Sequence, residues 1–161
     1  MIIENLQEFY QLLKHRQPII SIDYGIKKTG IAISNQECTI AMPLFTIEER
    51  DEKNKIAKIL NLLKTYSFCA VVIGLPISMN GQPSSQTLEV QNFAKKFSIE
   101  SDLPIYLQDE RLTTKAANSL LKSLGVKRKE RNQNDDCIAA SMILETTLDS
   151  IINLKRSLGS L

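Results

Sequence analysis

Carboxylates are the residues of greatest chemical promise in this chain. Asp23 sits in DYGIKKTG, Asp109 and Glu110 in DERLTT, and Asp135 and Asp136 in NDDCIAA. Each lies where a regular element begins or ends. Carboxylates drawn from three elements to one place would repel one another unless a metal ion neutralised them. The pattern points to a divalent-metal site and, through it, to metal-assisted phosphodiester chemistry. Each acid also has a plainer reading. Asp23 could bond the amides of its own turn. Asp109 and Glu110 could be surface charge. Asp135 and Asp136 could favour a helix N-terminus. The conjunction is the stronger signal, because strand ends in parallel-containing sheets share one functional edge.

Strand alternation narrows the choice. Adjacent strand residues face opposite sides, so at most one of Asp109 and Glu110 points into a shared site. The other would cap the next turn or pair with Arg111. Lys27 and Lys28 add positive charge beside Asp23, as contacts to a substrate backbone or as solvated turn residues. Lys122, Lys127, Arg128, Lys129 and Arg131 form the only dense basic stretch. It suits a solvated loop or a phosphate contact. Aromatics are not interleaved with it, so base stacking is not indicated.

Other chemistries are poorly served. His15 is the sole histidine, which leaves Cys38, Cys69 and Cys137 without an evident base. The three cysteines lack zinc-ligand spacing and read as reduced thiols of a cytosolic protein. There is no P-loop. A DxGxxxxG pattern at residues 23–30 also fits the phosphate loop of actin-like phosphotransferases, which need two such domains. The chain has 161 residues and a net charge of +2, room for one domain and neutral as to a nucleic-acid partner. It shows no signal-peptide pattern and no apolar run of membrane-spanning length, so no membrane partner is expected.

The elements that must position the acids follow from periodicity. Leu6, Phe9, Tyr10 and Leu13 predict a helix within 3–15. Three short runs, 19–23, 30–34 and 39–47, predict an antiparallel meander. Then come a helix over 49–65 and a buried strand at 69–73 that ends at Gly74-Leu75-Pro76. A polar loop spans 77–84. Ser84 or Ser85 caps a helix to about 100, with Leu88, Val90, Phe93, Ala94 and Phe97 as its buried stripe. A strand at 104–108 precedes a helix from Thr113 or Thr114 to Leu124, a basic loop 125–134, and a last helix from about Asn134. Asp136 would stand in its first turn, where Ala139 and Ala140 allow close packing on the sheet. The order predicts an α/β, five-stranded mixed sheet with helices on both faces, a ribonuclease H-like fold.

The stretches DYGIKKTGIAIS, AMPLFTI, VVIGLPISMNG, FAKKF, DERLTT and DCIAASMIL, in that order over about residues 19–148, closely resemble the YqgF (RuvX) family. Its members are described as pre-16S rRNA nucleases and were once called Holliday junction resolvase-like. The resemblance implies a ribonuclease H-like fold, a cytoplasmic location and hydrolysis of nucleic-acid phosphodiesters. It maps the catalytic, metal-binding acids onto Asp23, Glu110 and Asp136, with one or two Mg²⁺ or Mn²⁺ ions. Lys27, Lys28, Arg111, Lys127 and Arg128 would then contact a structured precursor rRNA or, alternatively, branched DNA. Lys28 stands where the family more often has arginine. Ala139 and Gly74 stand where true junction resolvases carry further acids, which keeps a non-catalytic nucleic-acid binder as a third reading. The expected organisation is an N-terminal helical extension (1–16), a nuclease domain (17–150) and a C-terminal tail (151–161).

Overall fold

The computed structural model describes residues 1–111 and 128–159, the side chains of 128–135 excepted. Its elements are β1 (Ile2–Ile3), α1 (Leu6–Leu12), β2 (Ile19–Asp23), β3 (Lys28–Ser34) and β4 (Ala41–Glu48), then α2 (Glu52–Thr65), β5 (Ala70–Leu75), α3 (Ser85–Glu100), β6 (Ile105–Asp109) and α4 (Arg128–Gly159). The strands form one sheet in the order β1-β6-β5-β2-β3-β4. β2–β3 and β3–β4 pair antiparallel, whereas β2–β5, β5–β6 and β1–β6 pair parallel. This is the mixed sheet that the meander-then-alternation pattern predicts. Five strands were expected and six are present. The added strand is two residues long, too short to show a period, and Ile105 N–H donates to Met1 O at 2.9 Å beside it.

Strand alternation divides the core in two. Ile20, Ile22, Ile31, Val71 and Ile73 face one way, against Ile56 and Ile59 of α2 and Val90, Phe93 and Phe97 of α3. Ile19, Ala70 and Val72 face the other way, against Phe9 of α1 and Ile143, Leu144, Leu148 and Ile151 of α4. Each fully buried isoleucine contributes roughly 1.5–3 kcal/mol over an exposed one. The 136–159 stretch of α4 is long and apolar enough to cross a membrane, but its apolar stripe is spent on this sheet.

Three further expectations are corrected. The first helix begins only at Leu6, capped by the Asn5 side chain, because Ile2 and Ile3 are taken by the sheet. Leu88 is 55% exposed, and Thr87 is buried in its place. Thr87 completes a capping box with Ser84 and donates its hydroxyl to Pro76 O, so polar contacts outweighed the apolar pattern there. Finally, α4 already runs from Arg128, so residues 128–134 are helical, not loop, and Asp136 lies two turns into the helix. The Lys, Arg, Glu and Gln residues of that stretch are good helix formers, and their polarity was misread as a loop signal. The helix expected over 113–124 lies outside the described residues.

Candidate active site at the carboxylate edge

Asp23 ends β2 on the α4 face, two residues above Ser21. The Ser21 hydroxyl donates to Ala140 O at 2.7 Å and pins α4 to the strand. Two strand residues advance about 6.6 Å, and one helical turn from Ala140 back to Asp136 advances about 6 Å. The near match sets Asp136 level with Asp23. Across the sheet Asp23 is paired with Gly30. A Cβ at Gly30 would overlap Asp136 O and stand 2.8 Å from Cys137 N, so α4 rests on bare backbone here. The small-residue reading of Ala139–Ala140 thus finds its counterpart on the sheet.

Glu110 arrives from β6. Leu107 belongs to the α2/α3 side of the core and Tyr106 packs against the α4 side, so alternation sends Asp109 and Glu110 to opposite faces. Glu110 N–H donates to Leu75 O at 3.1 Å, which extends the β5–β6 ladder. Its carboxylate lies over Gly74, where a Cβ would overlap both Glu110 Oε1 and Ile143 Cδ1. The missing side chain at Gly74 makes the room that Glu110 occupies. Asp109 turns away. It accepts from Arg111 N–H at 2.9 Å and pairs with the Arg111 guanidinium at 2.7 Å.

Burial, then the charges of Glu110 and Asp136, then a hydrogen bond to Glu110, push the Asp23 carboxyl well above the usual aspartate range. Burial also raises Glu110, opposed by the hydrogen bond from Asp23, while the Asp109 charge raises it further. Both acids are therefore shifted toward their protonated forms. Asp109 is lowered, first by its hydrogen bond from Arg111. The structure brings Asp23, Glu110 and Asp136 within electrostatic reach and sets Asp109 apart.

Among the described residues, no three His, Cys, Asp or Glu side chains form a ready-made metal cluster. The donor set nevertheless suits a hard cation, since all three groups are oxygen ligands. A divalent ion among them would offset the like-charge repulsion that helps raise Asp23.

The predicted cationic contacts are scattered. Lys27 and Lys28 line a shallow cavity of about 440 Å³ with Glu48, Glu49 and Arg50. Lys28 lies 3.8 Å from Glu48, both side chains largely exposed. Arg111 is engaged by Asp109 and borders the 77–84 loop at Gly81. Lys127 and the Arg128 side chain lie outside the described residues. Sequence reasoning missed Lys55, which is 1% exposed on α2. Its Nζ donates to Gly25 O at 2.6 Å and Ile26 O at 3.1 Å, in the turn that follows Asp23. It also stands 4.6 Å from the Tyr24 ring centroid. One signal was available, since Lys55 falls four residues before Ile59 on the apolar stripe.

Sheet order and carboxylate edge together define a ribonuclease H-like protein. The same fold is seen in the fowlpox virus Holliday junction resolvase (TM-score 0.50, 20% identity, 83% of this chain and 99% of that one). It is seen again in the large terminase nuclease of thermophilic phage G20c (TM-score 0.51, 10% identity, 90% and 98%). Residues 17–150 match the family described as "RuvX: Holliday junction resolvase", and the chain belongs to that family. A relative from Rickettsia africae, named "Putative pre-16S rRNA nuclease", is 62% identical over 154 residues, 96% of this chain and all of the relative. A Rickettsia bellii relative of the same name is 61% identical over the same span.

Proposed function

We propose that this chain is a metal-dependent nuclease that hydrolyses phosphodiester bonds in the 5′-end processing of pre-16S rRNA. The observation that carries the reading is the half-buried Asp23–Glu110 pair, both carboxyls raised and Asp136 close by at the sheet edge. A structural acid pair of this kind would destabilise the fold with no compensation, whereas a cation-binding pair has a use for the strain. The names of the relatives supply the substrate.

Asp23, Glu110 and Asp136 would hold one or two Mg²⁺ or Mn²⁺ ions. When bound, the metal supplies an activated water and stabilisation of the leaving 3′ oxygen. The chain's own groups do the rest. Gly30 and Gly74 let α4 and the Glu110 side chain close on the edge, which fixes the three carboxylates. Lys27, Lys28, Arg111, Lys127 and Arg128 hold the nucleic-acid backbone. The catalytic unit is residues 17–150, in the cytoplasm. Residues 1–16 brace it through β1 pairing with β6, and 151–161 through buried Ile151.

Purified Asp23→Asn, Glu110→Gln and Asp136→Asn should each lose Mg²⁺- or Mn²⁺-dependent cleavage of a precursor 16S rRNA fragment and remain folded. Wild-type activity in purified Asp23→Asn would refute the assignment. A four-way DNA junction run alongside tests the second reading, which the resolvase description of the family favours. Preferential cutting of the junction would make branched DNA the substrate.

A further inference from the structure

Lys55 is a charged group enclosed on the apolar stripe of α2, a position that needs a complete set of partners. It finds them in the carbonyl oxygens of Gly25 and Ile26 and the Tyr24 ring face. That grip has a second consequence. The described chain has no cis peptides, and in a trans peptide the C=O and N–H point in opposite directions. The Gly25 carbonyl shares its peptide with Ile26 N–H, and the Ile26 carbonyl shares its peptide with Lys27 N–H. With both oxygens drawn inward to Lys55, both N–H groups are turned outward. Neither has an acceptor among the described residues. Ile26 and Lys27 are exposed, so the two donors open to solvent.

Consecutive outward amides in a turn are an anion-binding arrangement. Lys27 and Lys28 line a shallow cavity at this turn with Glu48, Glu49 and Arg50, and Asp23 stands only three residues from Ile26. We propose that the Tyr24–Lys27 turn is a phosphate-binding site for a nucleic-acid backbone, taking phosphate oxygens on the Ile26 and Lys27 amides. Lys55 is its positioning residue. With the Thr29 hydroxyl, which also donates to Gly25 O, it keeps both peptides turned outward, and it does not touch the ligand. The inference rests on the nuclease reading only for the choice of nucleic acid as ligand.

The test is binding, not cleavage, so it stands or falls separately from the nuclease assignment. Full-length ¹⁵N-labelled protein in EDTA is titrated with a short single-stranded RNA and, separately, with inorganic phosphate. The Ile26 and Lys27 amides should move downfield among the largest shifts, with RNA acting at far lower concentration than phosphate. Lys55→Met should abolish those two shifts and weaken RNA binding about tenfold, the effect of roughly one charge-assisted hydrogen bond. Lys55→Arg should restore most of both. The proposal is overturned if wild-type RNA binding leaves the two amides unmoved, if RNA does not bind, or if only free phosphate moves them. It is equally overturned if folded Lys55→Met binds with wild-type shifts. Should Lys55→Met not fold, the wild-type titration decides.

Discussion

Two buried charges flank the end of β2, and the fold treats them in opposite ways. On the α4 face, Asp23 is surrounded by charges of its own sign, Glu110 and Asp136, and is driven toward its protonated form. On the α2/α3 face, Lys55 is surrounded by acceptors, namely two carbonyl oxygens and a ring face. Burial lowers the Lys55 ammonium, but the charges of Glu52 and Glu49 oppose the shift. One charge is met by acceptors within the fold, and the other by burial and like charges that disfavour it. Burial alone therefore does not separate a structural charge from a functional one. The sign of the surroundings does.

The sharpest break of the comparison comes from neutralising each charge. Asp23→Asn should eliminate cleavage, a loss on the order of 10³-fold or more by analogy with removal of other essential groups. It should also raise the melting temperature of the metal-free protein, since it removes a carboxylate that burial and like charges disfavour. Lys55→Met should do the reverse to stability, because it strands the Ile26 carbonyl oxygen and leaves Gly25 O with only the Thr29 hydroxyl. Calorimetry in EDTA reads both signs, and a fall in melting temperature for Asp23→Asn would show that Asp23 is a structural group. Gly74→Ala is next in size. Its Cβ would displace Glu110 Oε1 and Ile143 Cδ1. Cleavage should fall about 100-fold, the cost of shifting a reacting group by roughly 1 Å. Retained full activity would mean that Glu110 does not work from this position.

Much of this site was legible in the chain, for reasons that differ by residue. Asp23 could be read because strand alternation is strict, so Ile22 fixes which way its neighbour faces; alternation left Asp109 and Glu110 open, and only the family resemblance chose Glu110. The closeness of α4 could be read from Ala139–Ala140. Its counterpart Gly30 could not, because one glycine in a strand does not say what approaches it. Lys55 was hidden because composition treats lysine as surface, and its acceptors lie some thirty residues away in the turn. β1 was hidden because two residues carry no period, and the parallel pairing with β6 that defines it is long-range. The early start of α4 was lost because its first two turns are polar, so helical propensity had no apolar stripe to announce it.

The dependence on pH sharpens the same contrast with a smaller effect. Asp23 and Glu110 are both raised in the folded state. The stability they lend the metal-free protein is fully present below the unfolded carboxylate pKa, about 4. It is lost as pH rises through their raised folded values. Metal affinity runs the other way, because an ion held by these carboxylates competes with protons for them. It should fall as pH drops below those raised values, by up to about a hundredfold per pH unit where both carboxyls are protonated. Mn²⁺ calorimetry in buffers of different ionisation enthalpy should detect the released proton. Affinity that stays flat down to pH 4 would rule out binding through these two raised carboxyls.

The smallest effect separates an exposed cation from the buried one. Lys28 and Glu48 form a long, solvent-exposed pair, and such pairs contribute about 0–1 kcal/mol. Glu48→Ala should therefore leave the melting temperature nearly unchanged. Lys28→Ala should weaken RNA binding modestly and reduce the salt slope of the affinity by about one, since an exposed cation on a phosphate displaces roughly one counterion. Lys55→Met should weaken binding more and yet leave that slope nearly intact, because Lys55 faces carbonyl oxygens and acts through neutral amides. Equal slopes for Lys28→Ala and wild type would take Lys28 off the phosphate backbone. A slope reduced by one in Lys55→Met would mean that the buried ammonium reaches the substrate itself.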